Sequence, residues 1–338
     1  MSGDSPLDTP AKSALGRIVR HSPASNLAGV SWGVLAVGIF AFIYLAGKLT
    51  GSEASALQIM WLRYVGGLAT VVVLMAVTRT RLEQLATMQA PVHALRAAMG
   101  AAGGSSGVYA ATHMPVVSAS AIGLLDGAFT VALGVLLLKE RVSGRQYAAA
   151  ALCLFGAAMV VLSKGALDGF DRSTLVPATV ALAGALFVAI ESLLIKRLAR
   201  SERLIPVLFY VNLFGALIMT APGWLSWSDA APSHLALFLA LFLALGPLAI
   251  SGQACNIQAF RLSDVAVLGP VRYSWIVFGL AFGWFFFGES ITVIGLAGTA
   301  LVLAGGLWLA LARVAEAPAS TTAPQRDPGP ASSRVSKD

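Results

Sequence analysis

"LLLKERVSG" (136–144) and "FFFGESITV" (285–293) each run apolar and then stop at a carboxylate, Glu140 in the first and Glu289 in the second. The two Glu residues lie 149 positions apart, and each is followed by another long apolar run with a Gly near its end. Slid against itself by 149 positions without a gap, the chain pairs residues 114–163 with 263–312 and matches at eleven of fifty positions. The matches include Phe129/Phe278, Gly134/Gly283, Glu140/Glu289, Leu152/Leu301, Leu154/Leu303 and Gly156/Gly305. Biased composition alone gives roughly half as many. Gly66 and Gly215 pair at the same offset, so the register reaches well upstream. The chain is therefore read as an internal duplication.

Composition says where such a duplication folds. Of 338 residues, 57% are hydrophobic and 12% are charged. An average soluble domain carries about 25% charged residues. Mean hydropathy is +0.79. A soluble fold of this length has too little interior for so much apolar surface, so the class is a polytopic membrane protein. Cys153 and Cys255 both fall inside apolar runs, which suits small packing residues and not a disulfide framework. No Cys/His cluster points to a metal, and no cofactor is expected. The net charge of +7 comes from short loops between apolar runs, which reads as topology and not as nucleic-acid binding.

A span needs about 20 mostly apolar residues to cross roughly 30 Å of hydrocarbon. Ten runs qualify: 27–47, 55–78, 92–112, 116–138, 144–163, 175–196, 205–226, 234–259, 264–287 and 291–312. Residues 1–26 lack a signal-peptide core and cleavage site, so they are expected as a cytoplasmic N-terminal segment before an uncleaved first helix. Residues 27–163 and 175–312 form the two five-helix repeats. Residues 316–338, rich in Pro, Ala, Ser and Thr, are expected as a disordered cytoplasmic tail. With the termini and alternate loops on one side, that side carries seventeen Lys and Arg against three on the other. The positive-inside rule then puts both termini in the cytoplasm. The expected location is a plasma membrane of the bacterial inner-membrane type.

Five helices per copy is an odd number, so tandem copies must lie in opposite orientations. The loop at Glu140 holds Lys139, Arg141 and Arg145, whereas the loop at Glu289 holds no Lys or Arg, as an inversion requires. The fold class is thus all-α, with ten transmembrane helices as two inverted five-helix repeats. Inverted repeats are the architecture of secondary transporters, which bind substrate near the midplane between the halves.

"LLLKERVSGRQYAAAALCLFGAAMVV" (136–161) and "FFFGESITVIGLAGTALVLAGGLWL" (285–309) resemble the paired repeat ends of the drug/metabolite transporter superfamily, in its ten-helix EamA-type branch. The resemblance covers about residues 27–312. It is specific for fold and weak for substrate. It implies a basket-like bundle with a central cavity, alternating access, and fourth and ninth helices that face the cavity.

Ionisable residues at membrane depth are site candidates by default. Asp126 lies near the middle of the fourth span, and Arg63 and Arg272 lie within about a turn of the middle of the second and ninth. Glu191 lies in the sixth, nearer its cytoplasmic end. Arg96 is close enough to a helix end to snorkel and is set aside. At about 100° per residue, Ala119, Gly123, Asp126, Gly127, Thr130 and Gly134 share one stripe of the fourth span. Gly269, Arg272, Ile276, Gly279 and Gly283 share the matching stripe of the ninth. Two readings fit. Small residues allow close helix packing, with Asp126 paired to Arg272 or Arg63. Alternatively, they leave room for water and substrate.

In the second reading, Arg63 or Arg272 binds a carboxylate or phosphate through its planar donor fork. Asp126 or Glu191 binds an ammonium, or carries a coupling proton once burial raises its pKa. Asn212 is the repeat partner of Arg63. Trp61, Tyr64, Tyr273 and Trp275 lie near these charges and offer stacking surfaces. Pro270 removes a backbone donor inside the ninth span and is the expected hinge. "GAAGGSSG" (100–107) reads as close helix packing. Glu140 and Glu289 are expected as structural turn residues, each meeting backbone donors at a helix N-terminus.

A serine hydrolase built on Ser106 lacks a histidine base within reach, since His21, His93, His113 and His234 lie at helix ends or outside spans, so the chain is not expected to be an enzyme. No nucleotide-binding G-x-x-x-x-G-K-[ST] is present. The expected activity is secondary transport of a small polar or zwitterionic organic metabolite, amino-acid-like or related. A passive channel is the alternative. The expected partners are a small-molecule substrate, the lipid bilayer and protons as candidate coupling ion. Oligomeric state stays open.

Overall fold

The computed structural model describes residues 23–50, 55–114, 116–140, 142–163, 165, 172–226, 234–288 and 291–312. Glu289, residues 1–22 of the expected N-terminal segment and the expected tail at 316–338 lie outside the described residues. The helices are α1 Pro23–Thr50, α2 Ala56–Val77, α3 Ala90–His113, α4 Val116–Gly123, α5 Leu125–Leu138 and α6 Gly144–Leu162. The second part holds α7 Leu175–Ser201, α8 Leu204–Leu225, α9 His234–Leu262, α10 Val265–Val271, α11 Ser274–Phe287 and α12 Val293–Ala312.

Among the described residues there are eight stretches long and apolar enough to cross a membrane, counting α4–α5 and α10–α11 once each. Of the two other expected spans, α12 is apolar over the shorter stretch Val293–Trp308. The other, α3, has 24 residues but carries His93, Arg96, Ser105 and Ser106, which dilute its hydropathy. The chain is an all-helical, multi-pass membrane protein. Helices suit it because hydrocarbon offers no partner to a free backbone N–H or C=O. Large side chains such as Leu136, Phe285 and Val293 face outward, as lipid allows.

Helix contacts come in matched sets. α6 packs on α12, and α2 on α8. α3 packs on α7, and α1 on α9; α2 also meets α9, and α3 meets α8. Moved by 149 positions, the α3–α7 contact becomes α9–α1, and α2–α9 becomes α8–α3. The α6–α12 seam is close enough for backbones to touch. A Cβ on Gly156 would lie 2.6 Å from the Gly298 carbonyl oxygen, and one on Gly298 would lie 2.5 Å from that of Gly156. Cys153 Sγ lies 3.6 Å from the Val302 carbonyl oxygen, between two positions related by the same offset. Cys153 and Cys255 are both free and buried, as expected of packing residues.

Two expected spans change their hydrogen bonding partway along. In the fourth, Leu124 N–H, between α4 and α5, is shared by the Ser120 and Ala121 carbonyls, and the ninth tightens at Arg272–Tyr273, between α10 and α11; the backbone stays helical through both. Leu124 and Tyr273 are repeat-related positions. In the ninth, Arg272 N–H donates to Gly269 and Tyr273 N–H to Pro270, the i→i−3 bonds of a 3₁₀ turn. This turn falls two residues beyond Pro270, whose missing donor weakens the helix there. The turn at Leu124 has no proline in the described helix. Both α5 and α11 end in a left-handed residue, Lys139 (φ 54°) and Gly288 (φ 62°), again repeat-related. Glu140 N–H then reaches back six residues to the Gly134 carbonyl, closing a Schellman-type cap.

Candidate functional site

The two altered turns meet. Arg272, just past the end of α10, donates from Nε and Nη2 to Asp126 Oδ2 in the first turn of α5, at 2.9 and 2.6 Å. These side chains keep 31% and 18% of their surface exposed. A charge-assisted pair of this length is among the stronger hydrogen-bonded contacts in a protein. Tyr273 is buried, with its ring in the recess left by Gly127, 2.8 Å from where a Cβ would sit. Trp275 lies half-buried one turn on.

The small-residue stripes divide between the two sequence readings. Gly127 and Gly269 serve close packing, since a Cβ on Gly269 would lie 2.9 Å from the Gly127 carbonyl oxygen. Gly134 makes room for Glu140 and Val265, and Thr130 is fully buried. Gly123 and Gly279 have nothing within 4 Å of a Cβ, so the stripes open there.

A second charge centre lies on α2, α3 and α7. Arg96 does not snorkel. Its side chain is 2% exposed, and its Nε lies 3.8 Å from Glu191 Oε1. The physical reason is that α3 packs on α7 along its whole face, which turns Arg96 inward. Gly100, one turn on, lets the Glu191 carboxylate sit about where its Cβ would be, at 3.0–3.1 Å. The glycines of 100–107 therefore do two jobs. Gly103 packs against Val188 and Gly184, as expected, while Gly100 seats a charge. Arg63 places its guanidinium 4.6 Å from the Tyr64 ring centre, and its buried Nε has no hydrogen-bond partner. Tyr64 is itself buried, with its ring against Gly215.

Asn212 lies on α8, and Trp61 packs on the edge of the cluster that holds Tyr64. Asn212 is fully buried, exchanging amide contacts of 3.3 Å with Gln253 and donating to the Leu208 carbonyl. Trp61 packs on Gly223 and donates to Thr220 at 3.3 Å. The structure thus brings together Asp126, Arg272 and Tyr273 in one group, and Arg63 and Glu191 with Arg96 and Tyr64 in another.

Glu140 meets a helix N-terminus, but not the one next to it in sequence. Its Oε1 accepts from Val265 N–H at 3.0 Å and its Oε2 from Ala266 N–H at 2.8 Å, capping α10 from 125 residues away. Burial, the larger effect, lifts the Glu140 carboxyl above its ordinary range, and the Ala266 N–H pulls the other way. Nearby, the buried Lys196 donates to the Ser263 carbonyl and lies 3.7 Å from Asp264, which precedes α10. Sequence reasoning passed over Lys196 and Asp264, and only the charge of the loops hinted at them.

Known proteins share this architecture. A protein of known crystal structure superposes with a TM-score of 0.71 at 20% identity, over 84% of this chain and 98% of its own, which speaks to the fold alone. The pseudopaline exporter of Pseudomonas aeruginosa is 28% identical over 276 residues, 81% of this chain and 93% of its own. The riboflavin transporter of Brucella anthropi is 24% identical over 283 residues, 82% and 96% of the two chains. The S-adenosylmethionine uptake transporter of Rickettsia prowazekii is 24% identical over 263 residues, 78% and 85% of the two chains. These relatives are transporters, not enzymes. The profile of the EamA-like transporter family matches twice, at 27–162 and 176–311, and the chain belongs to that family.

Proposed function

We propose that the protein is a secondary active transporter of a small polar or zwitterionic organic metabolite, working by alternating access in a bacterial inner membrane. On this reading its ten spans form two inverted five-helix repeats, with both termini cytoplasmic. The matched contacts at a constant offset and the two family matches support the duplication, and the basic loop at Glu140 against the loop without Lys or Arg at Glu289 supports the inversion. Relatives that move compounds as unlike as riboflavin and S-adenosylmethionine support a metabolite cargo and leave its identity open.

One observation carries the site. An Asp and an Arg from different family matches, each at an altered helical turn and each about midway along its span, hold one another with their side chains still partly exposed. Ionisable side chains at membrane depth are expensive and mark substrate or ion pathways, and transporter substrate sites lie near the midplane between repeats. The proposed contact set is Asp126, Arg272, Arg63 and Glu191, with Trp275 and Tyr273 as walls and Asn212 and Trp61 as supports. Asp126 or Glu191 is the proposed proton carrier. Pro270 is the proposed hinge, softening the ninth span beside Arg272.

The test is a metabolite-uptake screen in proteoliposomes, with and without a pH gradient. Saturable uptake with counterflow by the unaltered protein, lost in Asp126→Asn, Arg63→Gln or Arg272→Gln, is the expected result. Normal transport by all three variants overturns the site. Non-saturating flux without counterflow overturns the carrier reading in favour of a channel.

A further inference from the structure

The centre on α2, α3 and α7 is electrically incomplete. Arg63 and Arg96 bring two positive charges, and Glu191 brings one negative charge. The Glu191 contact to Arg96, at 3.8 Å, is longer than a hydrogen bond. Arg96 is 2% exposed, and its Nε and Nη1 have no hydrogen-bond partner; the same holds for the buried Nε of Arg63. Arg63 lies over the Tyr64 ring, and Tyr64 packs in one cluster with Met60 and with Ala101, next to the Gly100 that seats Glu191. A guanidinium cannot relieve this by losing its proton. Leaving buried donors unmade and a buried charge unbalanced is costly in any protein and more so within a bilayer.

We propose that Arg63 and Arg96, with Tyr64 and Glu191 beside them, form a subsite for one carboxylate group of the transported molecule. This rests on the carrier reading above and adds to it a residue, Arg96, and a chemical class. The anion falls here and not on Arg272, because two donors of Arg272 are already spent on Asp126 Oδ2. A monoanion matches the excess of the Arg63 and Arg96 charges over Glu191; the next carboxylate, Glu202, is engaged by His93, Thr87 and Gln89. A planar carboxylate also offers about four acceptor sites to orphaned N–H groups. Glu191 is the more exposed of the two, its side chain 23% exposed against 2% for Arg96. Glu191 is then the resident counterion that an arriving carboxylate displaces from Arg96. The subsite recognises the head group and says nothing of the rest of the cargo, which the Asp126–Arg272 centre meets.

The test uses the full chain in lipid nanodiscs, titrated with sodium acetate at constant ionic strength and followed by tryptophan fluorescence and calorimetry. Acetamide and sodium chloride are the controls. A saturable response to acetate alone is expected. Arg96→Gln and Arg63→Gln each weaken it by about tenfold, and Arg96→Lys, which keeps the charge but not the fork, by about threefold. Glu191→Gln tightens it, because the competing carboxylate is gone. Acetate binding is measured with Asp126 and Arg272 intact, so its loss in an Arg96 variant is separable from loss of transport through the Asp126–Arg272 centre. If Arg96→Gln does not fold, Arg96→Lys and Glu191→Gln decide. No saturable acetate response in the unaltered protein overturns the proposal. So does an equal response to chloride, or acetate binding that neither Arg96 variant nor Glu191→Gln changes.

Discussion

Asp126–Arg272 and Glu191–Arg96 are both carboxylate–guanidinium pairs between helices, yet they are built to opposite specifications. The first is closed. Its donors sit 2.6 and 2.9 Å from one oxygen. The second is open. Its separation is 3.8 Å, and two guanidinium nitrogens are left over. The closed pair is satisfied by itself and still partly exposed, so it can both hold the two helices and meet cargo. The open pair has to be explained by something it binds.

Substitutions can break this contrast, beginning with the closed pair. Asp126→Asn leaves Arg272 without its counterion and is expected to cost about 3 kcal/mol, read as a lower unfolding midpoint in detergent. The double variant Asp126→Leu/Arg272→Met is expected to regain most of that loss while transport stays abolished. Next comes Glu140→Ala, which strips two backbone donors of α10 of their acceptor. It is expected to cost about 1–2 kcal/mol, with Glu140→Gln, which retains one acceptor, costing less. Arg96→Met removes a guanidinium held only at 3.8 Å by Glu191, whose own carboxylate is 23% exposed and can take solvent. It is expected to change stability by under about 1 kcal/mol, in contrast to Arg272→Met, although acetate binding disappears. A large loss in Arg96→Met would show that the second pair is as structural as the first. The smallest effect is a gain. Lys139→Gly relieves a left-handed conformation that Gly288 already occupies in the other half, and should stabilise by about 0.5–1 kcal/mol.

Much of this was legible in the residues. Apolar run length gave the helices, because bilayer thickness sets it. The self-match at Glu140 and Glu289 gave the register, which later aligned the altered turns and the helix ends. Asp126 and Arg272 were found because charge at membrane depth is rare, and one of their two offered pairings is the one observed. What escaped depends on contacts between distant elements. Arg96 looks peripheral when counted from its own helix end, and only the α7 face laid over it makes it buried. Glu140 was placed at a helix N-terminus, but the helix is α10, which no local pattern announces. The altered turn at Leu124 has no proline to mark it, and only its repeat partner Tyr273, close behind Pro270, hints at it.

The account depends most on the two halves lying upside down relative to each other. Val142 and Ile291 are repeat-related, in the loops that follow Glu140 and Glu289. Val142→Cys and Ile291→Cys, each in a background with Cys153 and Cys255 replaced by Ala, can be labelled with a membrane-impermeant thiol reagent in intact cells and in inverted vesicles. The account predicts labelling of position 291 in cells and of position 142 in inverted vesicles only. Labelling of both positions from the same side would contradict it.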